Sequence, residues 1–208
     1  MKFLRTKQAG LRFNPNLHPH SSNPPHPIMR WAGLTLATGI TWILTAALPA
    51  FAQQVETAAS VNLSRYAGRW YEIARFPNSF QKQCMGKVTA DYRLMPDDKI
   101  EVANRCKMSN GSLDLAVGEA KVIDKVSNAK LQVRFAPAWL SWLPMVWGNY
   151  WILELDADYS FTAVGSPDRN YLWILSRTPT ISQADYESLV NNATKQGYDT
   201  SKLVKTQQ

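Results

Sequence analysis

Gly68-Arg69-Trp70-Tyr71-Glu72-Ile73-Ala74-Arg75-Phe76-Pro77 is the run whose reading decides the fold. Aromatic and β-branched residues alternate with polar ones. Pro77 has no N–H to give to a ladder and ends the run, so it reads as a strand. A period of two puts Trp70, Glu72, Ala74 and Phe76 on one face and Tyr71, Ile73 and Arg75 on the other. Far downstream, Asn170-Tyr171-Leu172-Trp173-Ile174-Leu175-Ser176-Arg177 reads as a second strand and also ends in a Pro-containing turn, Thr178-Pro179-Thr180. If the two strands are neighbours they close a sheet into a barrel, and Arg177 lies across the face of Trp70 in a cation–π contact.

With these two runs in this order, the chain resembles the lipocalin family. The match rests on Gly68-x-Trp70, on Trp70-Tyr71-Glu72-Ile73-Ala74-Arg75 and on the distant Arg177. Tyr171 to Pro179 is similar to the bacterial and apolipoprotein D-like branch in particular. The resemblance covers Leu63 onward. It implies an all-β fold: an eight-stranded antiparallel up-and-down β-barrel with one C-terminal α-helix packed on its outside. Gly68, Trp70 and Arg177 would be the end-plugging signature, and the segment at Leu63-Ser64-Arg65-Tyr66-Ala67 a short turn over the barrel floor.

The stretches between the two motifs fit eight strands in hairpin order. Strands two and three are expected at 87–94 and 100–107 around a turn at Met95-Pro96-Asp97-Asp98-Lys99. Val88, Ala90, Tyr92 and Leu94 share one face; Ile100, Val102, Asn104 and Cys106 share another. Further strands follow at 113–124, bending at Gly118, then at 130–135, 148–156, 160–165 and 169–177. Ser182 to Gln196 carries Tyr186, Leu189, Val190 and Ala193 at i, i+3, i+4, i+7, a helix with one apolar stripe, capped by Ser182 and ended by Gly197.

The sequence holds two cysteines, Cys84 and Cys106. An exported domain with two cysteines is expected to form one disulfide, and closing a loop of about 20 residues is worth on the order of 3 kcal/mol. The alternative is two unpaired thiols, with Cys106 facing inward.

Residues 1–28 are rich in Pro, His, Asn and Ser and are expected to be disordered. They are either an extended leader or a segment upstream of a true start at Met29. Residues 29–52 read as a signal peptide: Met29-Arg30, an apolar run from Trp31 to Leu48, then Ala50-Phe51-Ala52 as a cleavage site. An uncleaved signal-anchor is the rival reading. The expected mature domain is 53–208. Of the 23 basic residues, Lys2, Arg5, Lys7, Arg12 and Arg30 leave with the leader, so 18 face 16 acidic ones. That near-neutral balance gives no support for nucleic-acid binding. His18, His20 and His26 also leave, so no metal site, cofactor or histidine-based nucleophile is expected.

Parity with Trp70 and the apolar faces nominate Glu72, Phe76, Tyr92, Asn104, Val133, Phe135, Tyr150 and Trp173 as ligand-binding residues in the barrel cavity. Tyr92, Asn104 and Trp173 match pocket positions of the apolipoprotein D-like branch. Each could instead be a packed interior side chain, and Glu72 either meets a ligand head group or pairs with a buried cation. Between strands five and six, 136–147 is almost wholly apolar, with Trp139, Leu140, Trp142, Leu143 and Trp147. So much apolar side chain at the mouth implies contact with a membrane surface, a lid, or a homodimer interface.

The function implied is binding and transport or scavenging of a small hydrophobic ligand, a fatty acid, lysophospholipid or similar lipid, linked to membrane lipid maintenance or stress. The protein would be no enzyme, and a monomer or weak homodimer. It would be exported, periplasmic or outer-membrane-associated in a bacterium, without a lipid anchor because no cysteine lies near the cleavage site. The alternatives are a lipid-modifying enzyme using Cys106, and a docking protein acting through the Trp-rich loop.

Overall fold

Alternation at 68–77 does produce a strand. A computed structural model describes residues 54–208; the expected presequence and signal peptide lie outside the described residues. Short helix α1 (Leu63–Tyr66) precedes β1 (Gly68–Arg75), which leads a meander of β2 (Cys84–Leu94), β3 (Lys99–Met108), β4 (Leu113–Val122), β5 (Lys130–Arg134), β6 (Gly148–Leu155), β7 (Phe161–Gly165) and β8 (Leu172–Ser176). Each strand pairs antiparallel with the next, and β1 pairs with both β2 and β8, so the eight strands close into a barrel. The β2–β3 hairpin has the expected register, with Ala90 opposite Asn104 and Tyr92 opposite Val102.

The helix also forms where its stripe places it. In α2 (Gln183–Lys195) the Ser182 side chain accepts from the Asp185 N–H, and Gly197, at φ +85°, ends the helix in a conformation other residues resist. Leu189 and Ala193 are buried on the outside of the barrel, against Ile73, Ala74, Phe76, Leu172 and Ile174. A separate cluster fills the barrel floor around Trp70, Val102, Ile152 and Val164.

One expectation fails on β1. Its pairing with β8 runs Glu72 opposite Leu175 and then Ala74 opposite Ile174, so Ile73 is an extra residue in a bulge. Beyond it the faces exchange. Trp70 packs in the floor cluster and Glu72 lines the cavity, but Ala74 and Phe76 point outward into the cluster under α2. Phe76 is therefore a wall residue and lies outside the cavity lining.

A ninth strand went unpredicted. β9 (Val204–Lys205) pairs with the upper half of β1, where β1 and β2 have stopped pairing. The following residues fill the gap between them: Thr206 N–H donates to the Ile73 carbonyl at 2.9 Å and Lys87 N–H to the Gln207 carbonyl at 2.6 Å. Cys84 and Cys106 are joined in a disulfide with their Cα atoms 5.5 Å apart, a register shift at Gly86 having brought Cys84 down onto β3.

Candidate functional site

The floor is sealed first. The Arg177 guanidinium lies 4.0 Å from the centroid of the fully buried Trp70 ring. It also donates to the carbonyls of Arg65 at 2.6 Å and Arg69 at 2.9 Å, while the Trp70 indole N–H donates to the Tyr66 carbonyl at 2.9 Å. Gly68 starts the strand at φ +95°, a conformation that residues with a Cβ rarely adopt, and it lies beside Arg177 Nη1. Gly68, Trp70 and Arg177 are thus brought together at one end.

Above the floor the barrel holds a cavity of about 550 Å³, a volume suited to one small ligand. Glu72, Tyr92, Asn104, Val133, Phe135, Tyr150 and Trp173 line it, together with Val102, Leu131 and Tyr171.

Three hydroxyls meet toward its inner end. Tyr150 Oη lies 2.8 Å from Tyr66 Oη and 2.8 Å from Tyr92 Oη, with Tyr92 donating. Burial pushes the Tyr92 phenol up to about 12 and lifts those of Tyr66 and Tyr150 well above their ordinary value, so all three are neutral. Sequence reasoning missed Tyr66, because a one-turn helix carries no readable period.

Glu72 resolves toward the paired reading. Its carboxylate, 4 % exposed, meets Arg75 Nη1 at 2.7 Å and accepts from the Thr206 hydroxyl at 2.6 Å and the Gln81 amide at 2.8 Å. Gln81 accepts in turn from the Trp173 indole at 3.2 Å, while Phe80 leans on Tyr171 and Trp173. The loop after β1 is thereby pinned across one side of the mouth. Gln81 and Thr206 were missed as well; both lie in stretches without alternation.

Among the described residues the lining includes two acids, Glu72 and Asp168, and no Lys, Arg or His. Asp168 accepts from Ser166 and from the Asn170 amide. The carboxamide oxygen of Asn104 is buried and has no hydrogen-bond partner among the described residues.

The apolar loop divides. Trp139, Trp142 and Met145 stand in solvent at 73 %, 75 % and 83 % exposure. Leu140 and Leu143 are half-buried. Trp147 turns back: its N–H donates to the Ser141 carbonyl at 2.7 Å, and its ring packs under Lys121 and Arg134. Phe80, Met85, Leu113 and Leu115 extend the exposed apolar rim at the same end.

Among the described residues there is no group of three or more His, Cys, Asp or Glu that could hold a metal ion. Both cysteines are in the disulfide, so a Cys106 nucleophile has no thiol to work with.

Comparison with known proteins agrees with this geometry. Residues 61–208 match the model of the lipocalin-like domain. The chain is 44 % identical over 158 residues to temperature-induced lipocalin-1 of Arabidopsis thaliana, covering 75 % of this chain and 84 % of that protein. It is 35 % identical over 173 residues to the outer membrane lipoprotein Blc of Escherichia coli K12, covering 83 % and 93 %. In three dimensions it is similar to insecticyanin of the tobacco hornworm Manduca sexta, with a TM-score of 0.58 at 21 % identity over 77 % of this chain and 88 % of that one.

Proposed function

The chain belongs to the lipocalin family, and on that premise we propose that it is a carrier which binds and releases one small hydrophobic molecule without chemical conversion. The observation that carries this reading is the floored, largely apolar cavity of about 550 Å³. Burying an acyl or isoprenoid chain there contributes about 0.8 kcal/mol per CH₂, so roughly fifteen methylenes, about 12 kcal/mol gross, bring the complex to micromolar affinity after about 4 kcal/mol of association cost. The cargo is a lipid with one chain, of fatty acid or lysophospholipid size, and the role is lipid maintenance or scavenging.

The exposed Trp139, Trp142 and Met145 at the cavity mouth support a second element: the loop dips into the membrane interface, so that a lipid passes between bilayer and cavity. The relative from Escherichia coli is an outer membrane lipoprotein by name. We extend that location here as an exported, envelope-associated protein in which the loop makes a membrane contact.

Native mass spectrometry of the exported protein tests the carrier reading. A co-purifying molecule of lipid mass, lost on delipidation and regained on adding lipid, is expected. A protein that carries nothing and takes up no apolar molecule after delipidation is no carrier.

A further inference from the structure

The polar groups of the cavity have unmet hydrogen-bonding capacity of a particular kind. Tyr92 Oη spends its proton on Tyr150 and, among the described residues, accepts from no donor. Asn104 Oδ1 is buried and accepts from none, while the Asn104 amide donates to no protein acceptor among the described residues. Tyr92 faces Val102 and Asn104 faces Ala90, so the two are diagonal neighbours on the inward face of the β2–β3 ladder. Such positions lie about 7–8 Å apart, which puts both groups in front of the same part of the cavity.

Charge points the same way. Glu72 has both carboxylate oxygens occupied by Arg75, Thr206 and Gln81, and Asp168 is held by Ser166 and Asn170. Arg75 already balances the charge of Glu72, and each acid keeps at most one open acceptor position. Among the described residues no lysine or arginine lines the wall to receive a carboxylate or phosphate. A carboxylate or phosphate head group drawn inside would lose its water and gain no counter-ion from the lining. An ester or ketone would leave the two vacant acceptors unmet, because it has no proton to give.

We propose that the cavity selects a neutral amphiphile ending in an alcohol, whose hydroxyl enters first, donates to Tyr92 Oη or Asn104 Oδ1 and accepts from the Asn104 amide. This rests on the carrier reading above and narrows it to a ligand class. Burial supports it, since it keeps the Tyr66, Tyr92 and Tyr150 hydroxyls neutral at any physiological pH.

The test uses three ligands that share one chain: lauryl alcohol, lauric acid and methyl laurate. Each is titrated into the delipidated protein at pH 8, with binding followed by tryptophan fluorescence. The alcohol is expected to bind at least about tenfold more tightly than the acid, the equivalent of roughly 1.4 kcal/mol. Tyr92→Phe and Asn104→Leu are each expected to weaken the alcohol severalfold and leave the ester within about twofold. An acid that binds as tightly as the alcohol overturns the proposal. So does an alcohol advantage that survives both substitutions. If none of the three ligands binds, the carrier reading falls instead, and the two failures are thereby separated.

Discussion

Lys121 holds its ammonium group 3.9 Å from the centroid of the Trp147 ring, at the foot of the mouth loop. The ring also lies 5.2 Å from the Arg134 guanidinium. Trp147 is thus an anchor of the loop, whereas Trp139 and Trp142 are its free tip. Replacing Trp139 and Trp142 together by Ser is expected to lower partitioning onto lipid vesicles at least tenfold, since fully burying one large apolar side chain is worth about 1.5–3 kcal/mol. Replacing Trp147 alone is expected to leave partitioning within twofold and to cost about 1 kcal/mol of stability. Vesicle sedimentation and urea denaturation read the two effects separately. Unchanged partitioning of the double variant would remove the membrane contact.

Arg177→Lys is expected to destabilise the domain by about 2 kcal/mol. A lysine keeps the charge, but its single ammonium cannot lie flat on Trp70 and donate in a fork to the carbonyls of Arg65 and Arg69. The urea midpoint should fall without a change in slope. Ligand affinity should hold, because Arg177 is absent from the cavity lining.

Exchanging both cysteines for Ser is expected to cost about 3 kcal/mol, chiefly by freeing the unfolded chain between Cys84 and Cys106. The oxidised protein should show no free thiol with a thiol reagent under denaturing conditions. Two reactive thiols there would contradict the bridge.

Alkaline pH should unfold the protein through its buried phenols. Tyr92 is raised from 10.0 to about 12 by burial. A group whose folded pKa lies above its unfolded one stabilises fully below the unfolded value, and that stability drains away as pH rises through the folded value. The window is therefore pH 10 to 12, and at about 1.4 kcal/mol per unit Tyr92 accounts for a loss of roughly 3 kcal/mol across it. Circular dichroism against pH is the measurement. Tyr92→Phe should flatten the fall in this window, and a curve as steep as that of the unchanged protein would show that the drop has another cause.

The barrel was legible because its two ends carry unlike residues in fixed order, and because β2 and β3 alternate cleanly about a turn. Trp70, Arg177 and the Tyr92–Val102 register all follow from those patterns. Phe76 was misplaced for a physical reason. At the level of Ile73, Ala74 and Phe76 the strand is apolar on both sides, since α2 covers the outer one. Alternation carries no parity there, and the bulge leaves no mark on the sequence. Tyr66, Gln81 and Thr206 lay in one-turn or irregular segments, where side-chain direction depends on tertiary contacts alone. The loop was read correctly as apolar, but nothing in its composition separates Trp147 from Trp139; the cations that hold Trp147 come from β4 and β5.

The seam beside β1 sets a timetable. Ile73 takes its hydrogen bond from Thr206, and beyond Tyr71, where pairing with β2 ends, the neighbours of β1 lie on β8 and β9, so that half of an early strand waits for partners made last. Ring closure is consequently a late, non-local step, of the sort that takes milliseconds to seconds rather than microseconds. Until it happens, the strand that will become the keystone is an open edge, available to chaperones and to other unfinished copies alike.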